Sequence, residues 1–247
     1  MLRAVLFDLD DTLLGNDIDL FLQQYFPLIA RHVGHLLEPE RFLRDLLSST
    51  QVMMSNADLK RTNQDVFWAD FCQRSGLARE ELEPTIDAFY REQFIALRGA
   101  TQRRPEAADL VRLCFDAGWQ VAIATNPVFP QEAIEQRLDW AGVGVDQFAY
   151  GLVTSYENMH ATKPHESYYR EILAALNVSA ERALMVGDDW QNDIVPASRL
   201  GMATFWVTDN AKGSAASDSD IAADGQGSLA DLLRLLRSGW LQAAEAR

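Results

Sequence analysis

Four apolar residues, Ala4-Val5-Leu6-Phe7, form the first patterned segment and stop abruptly at Asp8. An apolar run of this length, bounded by charge, reads as a short buried strand, although run length alone leaves helix open. The period then changes. From Asn16 to about Arg98 apolar residues recur at helical spacing in four segments: 20–33, 39–49, 65–75 and 79–97. Breakers such as Gly34, Gly76 and Gly99 part them. In the last segment Leu82, Ile86, Phe89, Tyr90 and Phe94 share one stripe, which predicts a packed bundle face.

Beyond Gly99 strands and helices alternate. The pattern predicts helices over 105–117, 131–141, 166–176 and 229–241. Strands are expected at 120–124, 183–186 and 204–207, with a further possible strand at 151–154. Residues 212–227, rich in Ser, Ala, Gly and Asp, read as a loop with at most a short extended piece near Ile221. Such alternation argues for a parallel sheet covered on both faces. The helical block would then be an insertion, entered and left near the end of the first strand. Residues 1–16 and 99–247 are expected to form an α/β core, and 17–98 a helical lid over that strand's carboxylates.

Size and composition narrow the class. A chain of 247 residues that is 48% hydrophobic and 23% charged can bury a substantial core as a soluble globular protein. Its 22 Lys and Arg against 36 Asp and Glu give a net charge of −14, which argues against a basic nucleic-acid footprint. No apolar stretch approaches a membrane span, and the N-terminus lacks a signal-peptide pattern. Cys72 and Cys114 lie in amphipathic segments and read as buried thiols, which fits a reducing cytoplasm.

Candidate chemistry sits where strands end. Asp8 and Asp10, Thr125 and Asn126, Lys163-Pro164, and Asp188 with Asp193 all terminate or closely follow predicted strands. A parallel sheet would bring the four to its C-terminal edge, where ligands bind in open α/β folds. Asp8, Asp10 and Asp11 place three carboxylates in four residues, which is unfavourable unless a cation or proton neutralises them. Gly187-Asp188-Asp189 alone would read equally as a turn with a helix cap. His32, His35, His160 and His165 have no zinc-ligand spacing, and the last two read as loop surface flanking Lys163.

In this order the motifs resemble the haloacid dehalogenase superfamily, in its phosphatase-like branch with a helical C1-type cap inserted after the first motif. Asp8-Leu9-Asp10-Asp11-Thr12 matches the DxDxT motif, Thr125 the second, Lys163 the third, and Gly187-Asp188 with Asp193 the fourth. The resemblance implies a Rossmann-like core and hydrolysis of a small phosphorylated metabolite through an aspartyl-phosphate on Asp8. Asp10 would act as general acid and then base. Thr125 and the Asn126 amide would hold phosphoryl oxygens, and Lys163 would balance charge. Mg²⁺ suits a hard oxygen site. Asp8, Asp188 and the Asp10 carbonyl would hold it, with Asp193 acting directly or through water.

Thr12 is expected to order the turn, and Asp11 to face solvent. Asp189 is open between a supporting acid, a helix cap and a solvated side chain. Lys60, Arg61, Arg91 and Arg98 are expected on solvated helix surface. Phosphotransferase or sugar-phosphate mutase activity would use the same motifs. A 2-haloacid dehalogenase is disfavoured by Asp10, and a non-catalytic binding protein by the complete motif set. A monomer or homodimer is expected, without nucleic-acid or membrane partners.

Overall fold

The computed structural model describes residues 1–16, 18–208 and 221–241. At its centre lies β1 (Ala4–Phe7), every residue of it buried. The chain then forms a short strand, β2 (Leu14–Asn16), and enters a block of four helices. These are α1 (Ile18–Val33), α2 (Pro39–Met54), α3 (Asn63–Ser75) and α4 (Arg79–Glu92). A 3₁₀ stretch, Phe94–Ala100, leads out to β3 (Thr101–Arg103), which pairs antiparallel with β2. Entry and exit of the helical block thus run side by side.

The remaining elements build the α/β part. They are α5 (Pro105–Asp116), β4 (Gln120–Ile123), α6 (Gln131–Ala141), β5 (Leu152–Val153), α7 (Glu166–Leu176) and β6 (Ala183–Gly187). After them come α8 (Val195–Arg199), β7 (Ala203–Val207), β8 (Gly225–Gly227) and α9 (Leu229–Arg237). The six-stranded sheet has the order β5-β4-β1-β6-β7-β8, with every neighbouring pair parallel. From β1 the chain builds outward through β4 and β5, then returns to add β6, β7 and β8 on the other side. That reversal falls between β1 and β6, the place where open α/β sheets bind ligands.

Apolar runs without alternation follow from this burial. Successive strand residues face opposite sides, and both sides are covered. Val5, Phe7, Val121, Ile123, Leu184 and Val186 enter one core with α5, α6, α9 and the helical block. Leu6, Ala122, Ala183 and Met185 enter a second core with Tyr168, Tyr169 and Ile172 of α7 and Ala197 of α8. This is the Rossmann-like arrangement that the motifs imply.

Several elements differ from the sequence expectation. The segment predicted as one helix over 79–97 breaks after Glu92 and tightens to 3₁₀. Three residues per turn put Phe94, Leu97 and Ala100 on one face, and all three are buried. The β2–β3 ribbon was not anticipated, because three-residue strands carry no usable periodicity. Nor was β8, whose Gly-Gln-Gly sequence has no strand propensity. Residues 212–220 of the expected loop lie outside the described residues. A π-helical turn, Trp190–Ile194, and α8 were also missed, and α9 stops at Arg237. Among the described residues no helix is long and apolar enough to cross a membrane.

Candidate active site

The registers of β1 and β6 set Phe7 opposite Val186, so Asp8 and Gly187-Asp188 leave the sheet side by side. The Asp8 amide donates to the Val186 carbonyl at 2.9 Å, which fixes the backbone of this edge. Lys163, on the loop before α7, sends its Nζ to Asp8 Oδ1 at 2.7 Å and to Asp193 Oδ1 at 2.6 Å. Carboxyl oxygens of Asp8, Asp188 and Asp193 lie within 4.8 Å of one another, and all three residues are buried. Residues separated by most of the chain therefore meet at one point.

Local structure explains how each arrives. The π-helical turn after β6 carries Asp193 back over Gly187, and the Asp189 amide donates to Asp193 Oδ2 at 3.1 Å. A Cβ on residue 187 would stand 2.1 Å from that oxygen, so any other residue would have to push the Asp193 side chain aside. Asp189 resolves as the cap of the turn, accepting from the amides of Gln191 and Asn192. Thr12 does more than order its turn: it is buried and donates to Asp188 Oδ1 at 3.2 Å.

Electrostatics here favours a bound cation. Burial, then repulsion from Asp8 and Asp193, pushes Asp188 up to about 8. Burial pushes Asp193 to about 7 against the attraction of Lys163. Asp8 is raised as well, first by burial, with Lys163 opposing. For Lys163 burial works against the ammonium, but Asp193 and Asp8 outweigh it and hold the group well above its usual value. One lysine does not balance three buried carboxylates. An all-oxygen donor set with surplus negative charge fits a hard divalent cation.

Asp10 occupies a different setting. Its Oδ1 accepts from Asn16 Nδ2 at 3.0 Å, and its Oδ2 meets Arg137 Nη1 at 2.5 Å. Neither partner was singled out from the sequence. Asp11, expected to face solvent, is instead half-buried: Oδ1 accepts from the Asn16 amide at 3.0 Å, and its carbonyl accepts from Arg104 at 2.6 Å. It adopts φ 58°, a left-handed conformation that closes the turn between β1 and β2.

Thr125 is buried at the end of β4, its carbonyl held by the Tyr168 hydroxyl at 2.7 Å and the Thr154 hydroxyl at 2.8 Å. Asn126 Oδ1 accepts from the Lys163 amide at 3.3 Å, tying the second motif to the third. His160 pairs with Glu171 at 2.6 Å, and His165 is exposed. Lys60, Arg61, Arg91 and Arg98 are exposed on the helical block. Cys72 and Cys114 are free thiols, the first half-buried and the second buried. An apolar cavity of about 230 Å³ lies between the helical block and residues 128–130, lined by Tyr25, Ile29, Trp68, Ile86, Tyr90 and Phe129 among others.

A parallel sheet with a buried aspartate at the end of its first strand, a lysine on that carboxylate and two further acids beside it defines a hydrolase of a known type. Residues 2–201 match the family model for haloacid dehalogenase-like hydrolases, and the chain belongs to that family. It is 28% identical over 214 residues to a glyceraldehyde 3-phosphate phosphatase of Pyrococcus abyssi, covering 83% of this chain and 81% of that protein. Among solved structures, a HAD phosphatase from Thermococcus onnurineus superposes with a TM-score of 0.59 at 20% identity, over 95% of this chain and 98% of that one. A 2-haloacid dehalogenase from Pseudomonas syringae gives 0.63, also at 20% identity, over 96% and 99%. Such structural likeness establishes the fold and does not separate the two activities.

Proposed function

We propose that this chain is a Mg²⁺-dependent phosphatase that hydrolyses a small phosphate monoester through an aspartyl-phosphate on Asp8. The observation that carries the proposal is the buried cluster: Lys163 Nζ lies 2.7 Å from Asp8 Oδ1, with Asp188 and Asp193 alongside. The relationship to the Pyrococcus abyssi phosphatase supports the same reading. Asp10 favours an ester over a halide substrate, because only the departing alkoxide requires a proton.

In this reading an Asp8 oxygen attacks phosphorus, the ester P–O bond breaks, and Asp10 passes its proton to the leaving oxygen. The Asp10 carboxylate next takes a proton from water, whose oxygen attacks phosphorus and releases Asp8. Lys163 holds Asp8 in its attacking orientation and places positive charge against the phosphoryl group, with Asp193 steering the ammonium. Thr125 and the Asn126 amide bind phosphoryl oxygens. Asp8, Asp188 and the Asp10 carbonyl, with Asp193 directly or through water, would hold Mg²⁺, whose charge would let an anionic ester approach three carboxylates. Residues 17–98 serve as the cap that excludes water and reads the alcohol portion.

Hydrolysis of an aryl phosphate with Mg²⁺, and its loss on chelation, tests the activity. Asp8→Asn should reduce turnover by at least ~10⁴-fold while leaving the circular dichroism spectrum unchanged. Undiminished turnover by Asp8→Asn would remove Asp8 as the nucleophile.

A further inference from the structure

Arg137 belongs to none of the motifs that assemble the site, yet it is only 1% exposed, in the middle of α6. A buried guanidinium is costly unless a carboxylate and hydrogen-bond acceptors meet it. Arg137 meets a carboxylate in Asp10 at 2.5 Å and an acceptor in the Ala133 carbonyl at 3.3 Å, and its Nη2 is buried without a hydrogen-bond partner among the described residues. The pair is asymmetric. The arginine side chain is 2% exposed, whereas that of Asp10 is 27% exposed at the edge of the site. The immobile partner is therefore the cation, and it dictates where the carboxylate rests.

A second set of contacts leads from Arg137 into the helical block. Its guanidinium lies over the Phe129 ring at 4.7 Å. Phe129 in turn packs against Phe21 at 6.4 Å, Tyr25 at 5.6 Å and Phe94 at 6.5 Å between ring centroids. The neighbouring Gln136 donates to the Tyr90 carbonyl at 2.7 Å, which pins α6 to α4. A plain interlayer ion pair would need no such link. Here the same guanidinium touches the second acid on one side and, on the other, the ring of Phe129, which packs into the aromatic cluster of the helical block.

We propose that Arg137 is a positioning residue for the acid/base carboxylate of Asp10, and that Phe129 couples this placement to the seating of the helical block. The inference rests on the aspartyl-phosphate reading above. In the first step the P–O ester bond breaks as the Asp8–P bond forms, and the Asp10 proton goes to the departing oxygen. In the second, water loses its proton to Asp10 as its oxygen bonds phosphorus and the Asp8–P bond breaks. Both steps need Asp10 in one place. Only the first loses that need when the leaving group is stable as an anion.

Rapid-mixing kinetics with Mg²⁺ on Arg137→Met and Arg137→Lys, using dinitrophenyl phosphate and propyl phosphate, tests this. For Arg137→Met the burst of dinitrophenolate should stay within about threefold of the unmodified protein, while steady turnover falls about 10²-fold and phosphoenzyme accumulates. Propyl phosphate should lose about 10²-fold already in the first step. Arg137→Lys should recover part of both losses, and Phe129→Leu should show the same selective pattern more weakly. In an Asp10→Asn background Arg137→Met should add no further loss.

Equal losses in burst and turnover on both esters would mean a merely structural arginine, as would multiplying losses in the double variant. Either overturns the inference but leaves the phosphatase reading intact. Absence of Mg²⁺-dependent release of dinitrophenolate by the unmodified protein would remove the phosphatase reading, and this inference with it. Thermal unfolding of each variant identifies folding failure, and the lysine variant then carries the test.

Discussion

Gly187 shows how little room the site leaves. An added methyl group would displace Asp193 Oδ2 and free Lys163 from one of its two carboxylates. Gly187→Ala is expected to lower turnover about 10²-fold, as loss of one preorganised charge contact does elsewhere. Wild-type kinetics in that variant would reject the role given to Asp193. Asp188 carries the opposite lesson, because its charge is unfavourable for folding. Between its ordinary value of 3.8 and about 8 the folded chain holds a proton that the unfolded chain has lost. Metal-free protein should therefore lose stability as pH rises from about 4 to about 8. Asp188→Asn escapes this. Without metal at pH 8 it should melt about 3 °C or more above the unmodified protein, with the difference vanishing near pH 4. Melting curves at both pH values decide it. Asp8 and Asp188 were legible in the sequence because each closely follows an apolar run, and Lys163 and Asp193 because they fall where the family's motifs place them. Arg137 and Asn16 were not, since an arginine inside an amphipathic helix and a loop asparagine have no local signature. Their significance comes only from what folding places beside them.

Elements owe their positions to capping as much as to apolar pattern. In α9 the Ser228 hydroxyl accepts from the Asp231 amide while the Asp231 carboxylate accepts from the Ser228 amide. Hydrogen bonds from Ser228, then Arg234, lower Asp231 to about 2. The unfolded chain takes up its proton first on acidification, so this contribution is complete above the ordinary value of 3.8 and is lost as pH falls towards about 2. Asp231→Ala should lower the melting midpoint at neutral pH, and the gap should narrow across that acid window. A gap independent of pH would exclude the carboxylate as its source. Long elements such as α1 and α7 were readable because many turns repeat one apolar stripe. The 3₁₀ break after Glu92 was not. There the apolar spacing at Phe94, Leu97 and Ala100 is compatible with either winding until neighbours choose.

At the scale of the molecule, binding of a cation only to the folded form should stabilise the whole domain. Mg²⁺ at about a hundred times its dissociation constant adds about 2.7 kcal/mol. The melting midpoint should climb with Mg²⁺ concentration in the unmodified protein and much less in Asp188→Asn. An unchanged midpoint at millimolar Mg²⁺ would count against the metal site. That the sheet is parallel could be read from strand–helix alternation, because parallel strands need crossovers, whereas the strand order could not. The order of strands has a further effect during synthesis. β1 emerges first but hydrogen-bonds to β4 on one side and to β6 on the other, and β6 begins only at Ala183. Until then the nascent chain exposes an apolar ribbon with an open edge, a template for pairing with other chains. Copies that stall or are clipped before Ala183 lack both the surroundings of Asp8 and the strand that shields β1. They are candidates for chaperone retention and degradation, not for partial activity.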